Sequence, residues 1–158
     1  MTLLVIVILL TAILFAYPLR YKKTIIQYAN EFDLDPVLIA SVIHTESKFR
    51  SDAQSNKGAI GLMQLLPTTA EYIAKKNNIT EFNLLDPEDN ILLGVMYLRY
   101  LYDRFRCERI ALVAYNAGEG NVAKWLAVDP ELNNIPYRET RDYLKRVTRA
   151  KRVYRFRV

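Results

Sequence analysis

The sequence predicts an all-α domain. Apolar residues recur at three- and four-residue intervals in two long stretches, Ile39, Val42 and Ile43 in one and Ile91, Val95, Leu98 and Tyr102 in the other. That spacing lines one face of a helix. An Asp-Pro pair opens each stretch, at Asp35-Pro36 and Asp86-Pro87. Asp accepts the orphan N–H bonds of a first turn, and Pro fits the first helical position. No repeat, low-complexity stretch or Gly/Ser linker divides the 158 residues, so the length implies one domain with a short appendage.

The appendage is N-terminal. Met1 to Leu19 has no charged side chain, and Leu3 to Phe15 is apolar apart from Thr11. A membrane-spanning helix usually needs about 20 apolar residues, which this run marginally supplies. A cleaved signal peptide needs a basic start and a small-x-small site. No Lys or Arg precedes the run, and Leu14-Phe15-Ala16 is a poor site. A buried core helix is disfavoured by the lack of a polar face. The expectation is a membrane anchor or uncleaved signal segment over residues 1–19 and a folded domain over 20–158. Arg20, Lys22 and Lys23 follow the run and by themselves would hold the C-terminal side in the cytoplasm.

Further helices are expected in order. The first runs from Pro36 to Ser47. Ser51 to Leu66 is irregular: Ser55-Asn56-Lys57-Gly58-Ala59-Ile60-Gly61 is rich in turn formers, and Leu62-Met63-Gln64-Leu65-Leu66 is an apolar run holding one amide. A buried Gln must find hydrogen-bond partners, either local backbone or a polar ligand in a cleft. Thr68-Thr69-Ala70-Glu71 resembles a capping box for a short helix to about Lys76. A longer helix follows Asp86 to about Phe105. Another spans about Glu108 to Tyr115 and stops near Gly118, a short one surrounds Trp125, and Asp129-Pro130 breaks the chain. The last begins near Arg138 and enters a basic tail.

The single Cys107 makes no intramolecular disulfide and reads as a passive structural cysteine. A chain of this size buries about two-thirds of its unfolded surface and needs no such staple. The formal charge is +5. Its excess lies at the end, where Arg138, Arg141, Lys145, Arg146, Arg149, Lys151, Arg152, Arg155 and Arg157 face only Glu139 and Asp142 as local acids. A basic helix suits an anionic polymer or lipid. No nucleic-acid motif accompanies it, so no nucleic-acid partner is expected; a solvated face is the plainest reading.

One acid is out of place. Glu46 follows Ile39, Val42 and Ile43 by seven, four and three residues, which puts it on the apolar stripe. A carboxylate at the edge of a core loses hydration, so its pKa rises. A carboxyl group still protonated near neutral pH can act as a general acid. Periodicity equally allows the helix end to turn Glu46 into water. His44, two residues earlier, points about 200° away. It is the sole histidine and has no Cys or His cluster, so neither a metal site nor a cofactor is expected.

Four blocks resemble the lytic transglycosylases of the SLT-domain type, within the lysozyme-like superfamily. The first is Glu46-Ser47-Lys48-Phe49, continued by Ala53-Gln54-Ser55-Asn56-Lys57-Gly58-Ala59-Ile60-Gly61-Leu62-Met63-Gln64 and Pro67-Thr68-Thr69-Ala70. The second is Ala114-Tyr115-Asn116-Ala117-Gly118 and the third Ile135-Pro136-Tyr137-Arg138-Glu139-Thr140-Arg141-Asp142-Tyr143. Asn90-Ile91 and Gly94 to Leu98 add a weaker fourth. Together they cover about residues 24–147, leaving the end of the basic tail outside.

The resemblance implies a lysozyme-like helical domain with a saccharide cleft. It implies cleavage of the β-1,4 bond between N-acetylmuramic acid and N-acetylglucosamine in peptidoglycan, with a 1,6-anhydromuramoyl product. Glu46 matches the family's sole catalytic acid/base. Ser55, Gln64, Tyr115 and Asn116 match cleft residues that contact the substrate or the catalytic carboxylate, with Met63 packed below them. Glu139 and Tyr143 match residues bordering the cleft. The implied partner is the glycan strand, met by a monomer outside the cytoplasm and tethered through the N-terminal segment. That placement conflicts with the cations at 20–23. The neighbouring readings are a goose-type lysozyme-like hydrolase and a glycan-binding module without turnover.

Overall fold

The computed structural model describes residues 2–158. Eight helices follow in order: α1 (Thr2–Ala16), α2 (Lys22–Glu31), α3 (Pro36–Ser47), α4 (Pro67–Lys76), α5 (Pro87–Phe105), α6 (Glu108–Ala117), α7 (Glu119–Leu126) and α8 (Arg138–Tyr154). Among the described residues the only β-type pairing is two isolated bridges, Gln54 with Ile60 and Ile60 with Leu65. The all-α expectation holds.

The Asp-Pro starts work as the sequence implies. The Asp35 carboxylate accepts from the Val37 N–H at 2.8 Å, and Asp86 accepts from Glu88 and Asp89 at 2.9 and 3.1 Å. The Thr68 capping box does not form. Pro67 occupies the first turn of α4, so Thr68 is already helical, and Leu66 is the cap residue with no side-chain bond. Proline at the first position pre-sets the helical φ and needs no N–H partner there. Helix α2, unassigned in the sequence, buries Ile25, Tyr28 and Ala29.

Helix α1 has 15 residues, so it is about 22 Å long at 1.5 Å per residue. The hydrocarbon core of a bilayer is about 30 Å. No described helix is long and apolar enough to cross a membrane. Met1, where the expected anchor begins, lies outside the described residues. The helix ends at Ala16 because Tyr17 precedes Pro18, and a residue before proline is pushed out of the helical region. Among its described side chains, Leu4 is 64% and Phe15 91% exposed.

The centre of the fold is α3. Leu38 to Ile43 are all buried. They pack against Ile25 and Tyr28 of α2, Ile91, Val95 and Leu98 of α5, and Tyr143, Val147, Ala150 and Tyr154 of α8 in one cluster. The α8 residues repeat at four, three and four, so one stripe of the basic helix is core and the cations form its outer face. A second cluster joins α5, α6 and α7 through Leu101, Ala111, Ala114 and Val122. A third sets α4 against α5 through Ala70, Ile73, Ala74 and Leu93.

The segment called a basic tail is part of the fold. Tyr154 is fully buried, and its hydroxyl donates to the Pro18 carbonyl at 2.7 Å. The Arg157 guanidinium donates to the Tyr17 carbonyl, and Lys22 Nζ donates to the Arg157 carbonyl at 2.8 Å. The chain's end is therefore tied to the foot of α1.

One side chain ties the irregular 51–66 segment to α5. Asn90 is 1% exposed, on the first turn of α5. Its Oδ1 accepts from the Met63 N–H at 2.8 Å, and its Nδ2 donates to the carbonyls of Ile60 at 3.0 Å and Leu84 at 2.9 Å. Gly61 (φ +79°) leaves room for this amide: a Cβ there would lie 2.2 Å from Asn90 Nδ2. Gly94, one turn further along α5, admits Met63, whose Sδ would be 2.3 Å from an added Cβ. Asn90→Ala strands one buried donor and two acceptors, so we expect a loss of about 2–4 kcal/mol, measurable as a lower urea midpoint.

Candidate active site

The cleft forms where the end of α3, the 51–66 loop, the end of α6 and the start of α8 converge. Helix α3 ends at Ser47, one residue after Glu46. Ser47 is buried and its hydroxyl bonds the Ile43 carbonyl at 3.1 Å and the Leu62 carbonyl at 2.8 Å, pinning the helix end to the loop. Lys48 and Phe49 then take φ of 53° and 63°, and the fully buried Phe49 ring fixes the turn. Glu46 is left at the floor of a cleft of about 310 Å³, lined also by Ser55, Lys57, Gln64, Tyr115, Asn116 and Glu139. A second hollow of about 200 Å³ adjoins it, sharing Gln64, Leu66, Tyr115 and Asn116 and adding Thr69, Tyr97 and Gly118. The shared residues make the two hollows one continuous groove.

Glu46 opens to the cleft on one side and is enclosed by protein on the others. Burial pushes its pKa up to about 7. The Tyr143 hydroxyl and the Arg146 guanidinium oppose that rise, and the Glu139 carboxylate adds to it. Tyr143 is 1% exposed. Its hydroxyl faces Glu46 electrostatically but reaches no partner at hydrogen-bonding geometry, and it is the one such buried side-chain atom among the described residues. Tyr115 and Tyr143 are both held neutral, their pKa values raised first by burial and then by the Glu46 charge.

The other expected residues divide into those that face the cleft and those that support it. Ser55 faces it, and its Oγ also accepts from the Lys57 and Ala59 N–H groups at 3.3 and 3.0 Å, closing the turn. Gln64 faces it with φ of 49°, and its Nε2 is taken by the carbonyls of Ala53 (3.0 Å) and Gly61 (2.9 Å). Local backbone thus claims the amide's donor, leaving Oε1 for the groove. The Tyr115 hydroxyl donates to the Met63 carbonyl at 2.7 Å. Its ring lies against Tyr97 with centroids 5.2 Å apart. Asn116 lines both hollows.

Met63 and Tyr143 do not line the cleft. Met63 is fully buried against Gly94, so its side chain offers no surface to a ligand; its backbone carbonyl, holding Tyr115, is what it contributes. Tyr143 lies beneath Glu46. The reason is the α8 stripe, whose period of three and four turns Tyr143 inward with Val147.

Glu139 stands on the rim, exposed, with Lys57 Nζ 3.3 Å away across the cleft mouth. Such an exposed pair contributes little to stability. Lys57, Asn56, Ala59 and Leu66 line the cleft without having been singled out individually. Nothing local marks Lys57, because its partner is 82 residues away. His44 stacks on Tyr17 with centroids 4.5 Å apart and meets the Tyr154 hydroxyl at 3.2 Å. Among the described residues no three His, Cys, Asp or Glu side chains converge as metal ligands. Three larger hollows, of about 450, 360 and 570 Å³, lie beside α5, α4 and α8. Two of their acids, Asp103 and Glu108, are half-exposed and ion-paired.

This geometry has known counterparts. A model of the "Transglycosylase SLT domain" matches residues 23–137. The chain belongs to the SLT transglycosylase domain family. The SLT domain here is 36% identical over 151 residues to the soluble lytic murein transglycosylase of Salmonella typhimurium, covering 88% of this chain and 23% of the relative. It is 31% identical over 168 residues to the membrane-bound lytic murein transglycosylase C of Glaesserella parasuis, covering 86% and 46%. Among solved structures, the 70-kDa soluble lytic transglycosylase of Escherichia coli superposes with a TM-score of 0.81 at 34% identity, covering 89% of this chain and 25% of that one. An inactive Glu-to-Gln mutant of lytic transglycosylase Slt from Pseudomonas aeruginosa gives 0.79 at 35% identity, covering 87% and 24%. The chain thus spans about a quarter of the soluble relatives' length.

The Glu46 shift predicts a pH-dependent stability. An unfolded Glu titrates near 4.5 and the folded one near 7. The folded protein therefore holds the extra proton between these values, and its stability falls as pH rises through that window. Glu46→Gln removes the effect. We expect the variant to melt higher than the parent at pH 8, by the equivalent of about 3 kcal/mol, and equally below pH 4.5.

Proposed function

We propose that this SLT domain cleaves peptidoglycan as a lytic transglycosylase, breaking the β-1,4 bond between N-acetylmuramic acid and N-acetylglucosamine with Glu46 as acid and base. The observation that carries the proposal is a carboxyl group with a pKa of about 7 at the floor of an elongated cleft. The names of the relatives support the substrate class.

The chemistry needs one carboxyl group. Glu46, protonated, gives its proton to the glycosidic oxygen as the C1–O bond breaks. The muramoyl N-acetyl group supports the developing cation. The Glu46 carboxylate then takes the proton of the C6 hydroxyl as that oxygen bonds C1, closing the anhydro ring and restoring the acid. The nucleophile is already part of the sugar, which favours it over solvent by proximity. Ser55, the Gln64 carbonyl oxygen and Asn116 supply polar contacts to the strand. Tyr115, fixed through Met63, offers a ring face. Tyr143 lies where it stabilises the ionised half of the Glu46 cycle.

Glu139 is the observation that favours a second reading. It is a second carboxylate on the same cleft, and a hydrolase uses two. Its exposure and its pairing with Lys57 suit a rim contact better than a buried base. Mass spectrometry of digested peptidoglycan separates the two: anhydro ends support the transglycosylase, and reducing ends overturn it. The uncovered apolar α1 supports tethering the domain to a membrane on the peptidoglycan side.

Glu46→Gln should lower cleavage by about 10²–10⁴-fold, the usual worth of a general acid–base. The rate should fall on the alkaline side through about pH 7, as Glu46 loses its proton. Tyr143→Phe removes a group that favours the ionised form, so the alkaline limb should move to higher pH. A pH–rate profile that stays in place would refute the assigned part of Tyr143.

A further inference from the structure

We propose that the end of the domain where α8 meets the foot of α1 docks on an anionic lipid bilayer. The inference deepens the tethering read above. Three hydrogen bonds make one surface of two distant segments: Tyr154 to Pro18, Arg157 to Tyr17, and Lys22 to the Arg157 carbonyl. Residues 17–23 and 149–158 together carry eight Lys and Arg and no Asp or Glu. Of these, Lys151 is spent on Glu108 at 2.6 Å. Arg20, Lys22, Lys23, Arg152 and Arg155 are exposed.

Apolar groups stand among the charges. Phe156 is 88% exposed between Arg155 and Arg157, and Phe15, at the last turn of α1, is 91% exposed. Arginines with exposed aromatic rings at the base of an uncovered apolar helix suit a headgroup layer: cations meet lipid phosphates, and rings enter the interface. A hydrophilic anionic polymer would match the charges and leave the rings in water, so the surface favours lipid. The cations at 20–23 then belong to a folded, headgroup-facing surface together with the C-terminal end. Their charge is accounted for without placing the domain in the cytoplasm. From Glu139 on the cleft rim to Arg155 is 16 residues along α8, about 24 Å. Docking would hold the cleft near the first layers of wall outside the membrane.

The test is co-sedimentation of the full chain with vesicles of phosphatidylcholine alone or mixed with phosphatidylglycerol, at low and high salt. The expected result is tighter binding to the anionic vesicles, weakened by salt. The triple variant Lys23→Glu, Arg155→Glu, Phe156→Ser should lose about tenfold or more of that preference. It should keep its binding to phosphatidylcholine through α1, its melting temperature, and its cleavage of glycan fragments in solution. The single variant Arg155→Glu should lose part of the preference, which keeps the test valid if the triple variant folds poorly. Equal binding of the parent to both vesicle types, or an unchanged preference in the variants, would overturn the proposal. So would soluble poly(glycerol phosphate) binding the parent as tightly as the anionic vesicles. Vesicle binding needs no cleavage: a lack of anhydro products counts against the proposed activity alone, and a lack of lipid preference against the docking surface alone.

Discussion

The Asn90 amide is the constraint on which the cleft depends. The 51–66 segment has no helix or strand ladder to organise it, and the backbone groups that its own turns leave unpaired must find partners elsewhere. Asn90 answers two of them, and the Leu84 carbonyl beyond the segment, with one buried side chain anchored on the first turn of α5. Because the bonds reach Ile60, Met63 and Leu84, they fix the loop at its apolar end and leave its turn-rich tip to form the cleft rim. Met63, held by its N–H on one side, presents its carbonyl to Tyr115 on the other. A rigid α5 thus positions a ring on α6 through two residues of loop.

The electrostatics of Glu46 follow from the same packing. A Glu at a helix end would ordinarily be solvated. Here Ser47 draws the helix end onto the loop, Tyr143 fills the space beneath, and the carboxyl group keeps one open side. Burial raises its pKa, and Tyr143 and Arg146 limit the rise, so the group settles near neutrality. A group there can both give and regain a proton. The energetic cost falls on stability, since the folded chain resists ionising a side chain that water would ionise freely.

Helix α8 serves three surfaces at once. Its apolar stripe packs on α3, its first turn carries Glu139 to the cleft rim, and its last turn reaches the foot of α1. The cations fill the face that remains. Their number is therefore partly a solubility requirement of a long amphipathic helix. Past Tyr154, Arg157 is taken by the Tyr17 carbonyl, while Arg155 and the exposed Phe156 face outward.

The sequence by itself determined the helices with strong local signals. Asp35-Pro36 and Asp86-Pro87 act through bonds two or three residues away, so their starts were legible, whereas Thr68 lost its cap to the neighbouring Pro67. The three-four spacing placed Glu46 on the face of Ile39, Val42 and Ile43, and four blocks of text named its family. Tertiary structure alone decided whether that face ended in water or in a cleft, because the answer lies with Tyr143, almost 100 positions further on. It also decided that Met63 is core, that Gln64 spends its donor on the loop, and that Lys57 meets Glu139. The fate of the C-terminal end was equally hidden, since its partners Tyr17 and Pro18 lie at the other end of the chain. Local periodicity reports which way a side chain leaves its own helix; what it meets there depends on contacts that only the folded chain brings together.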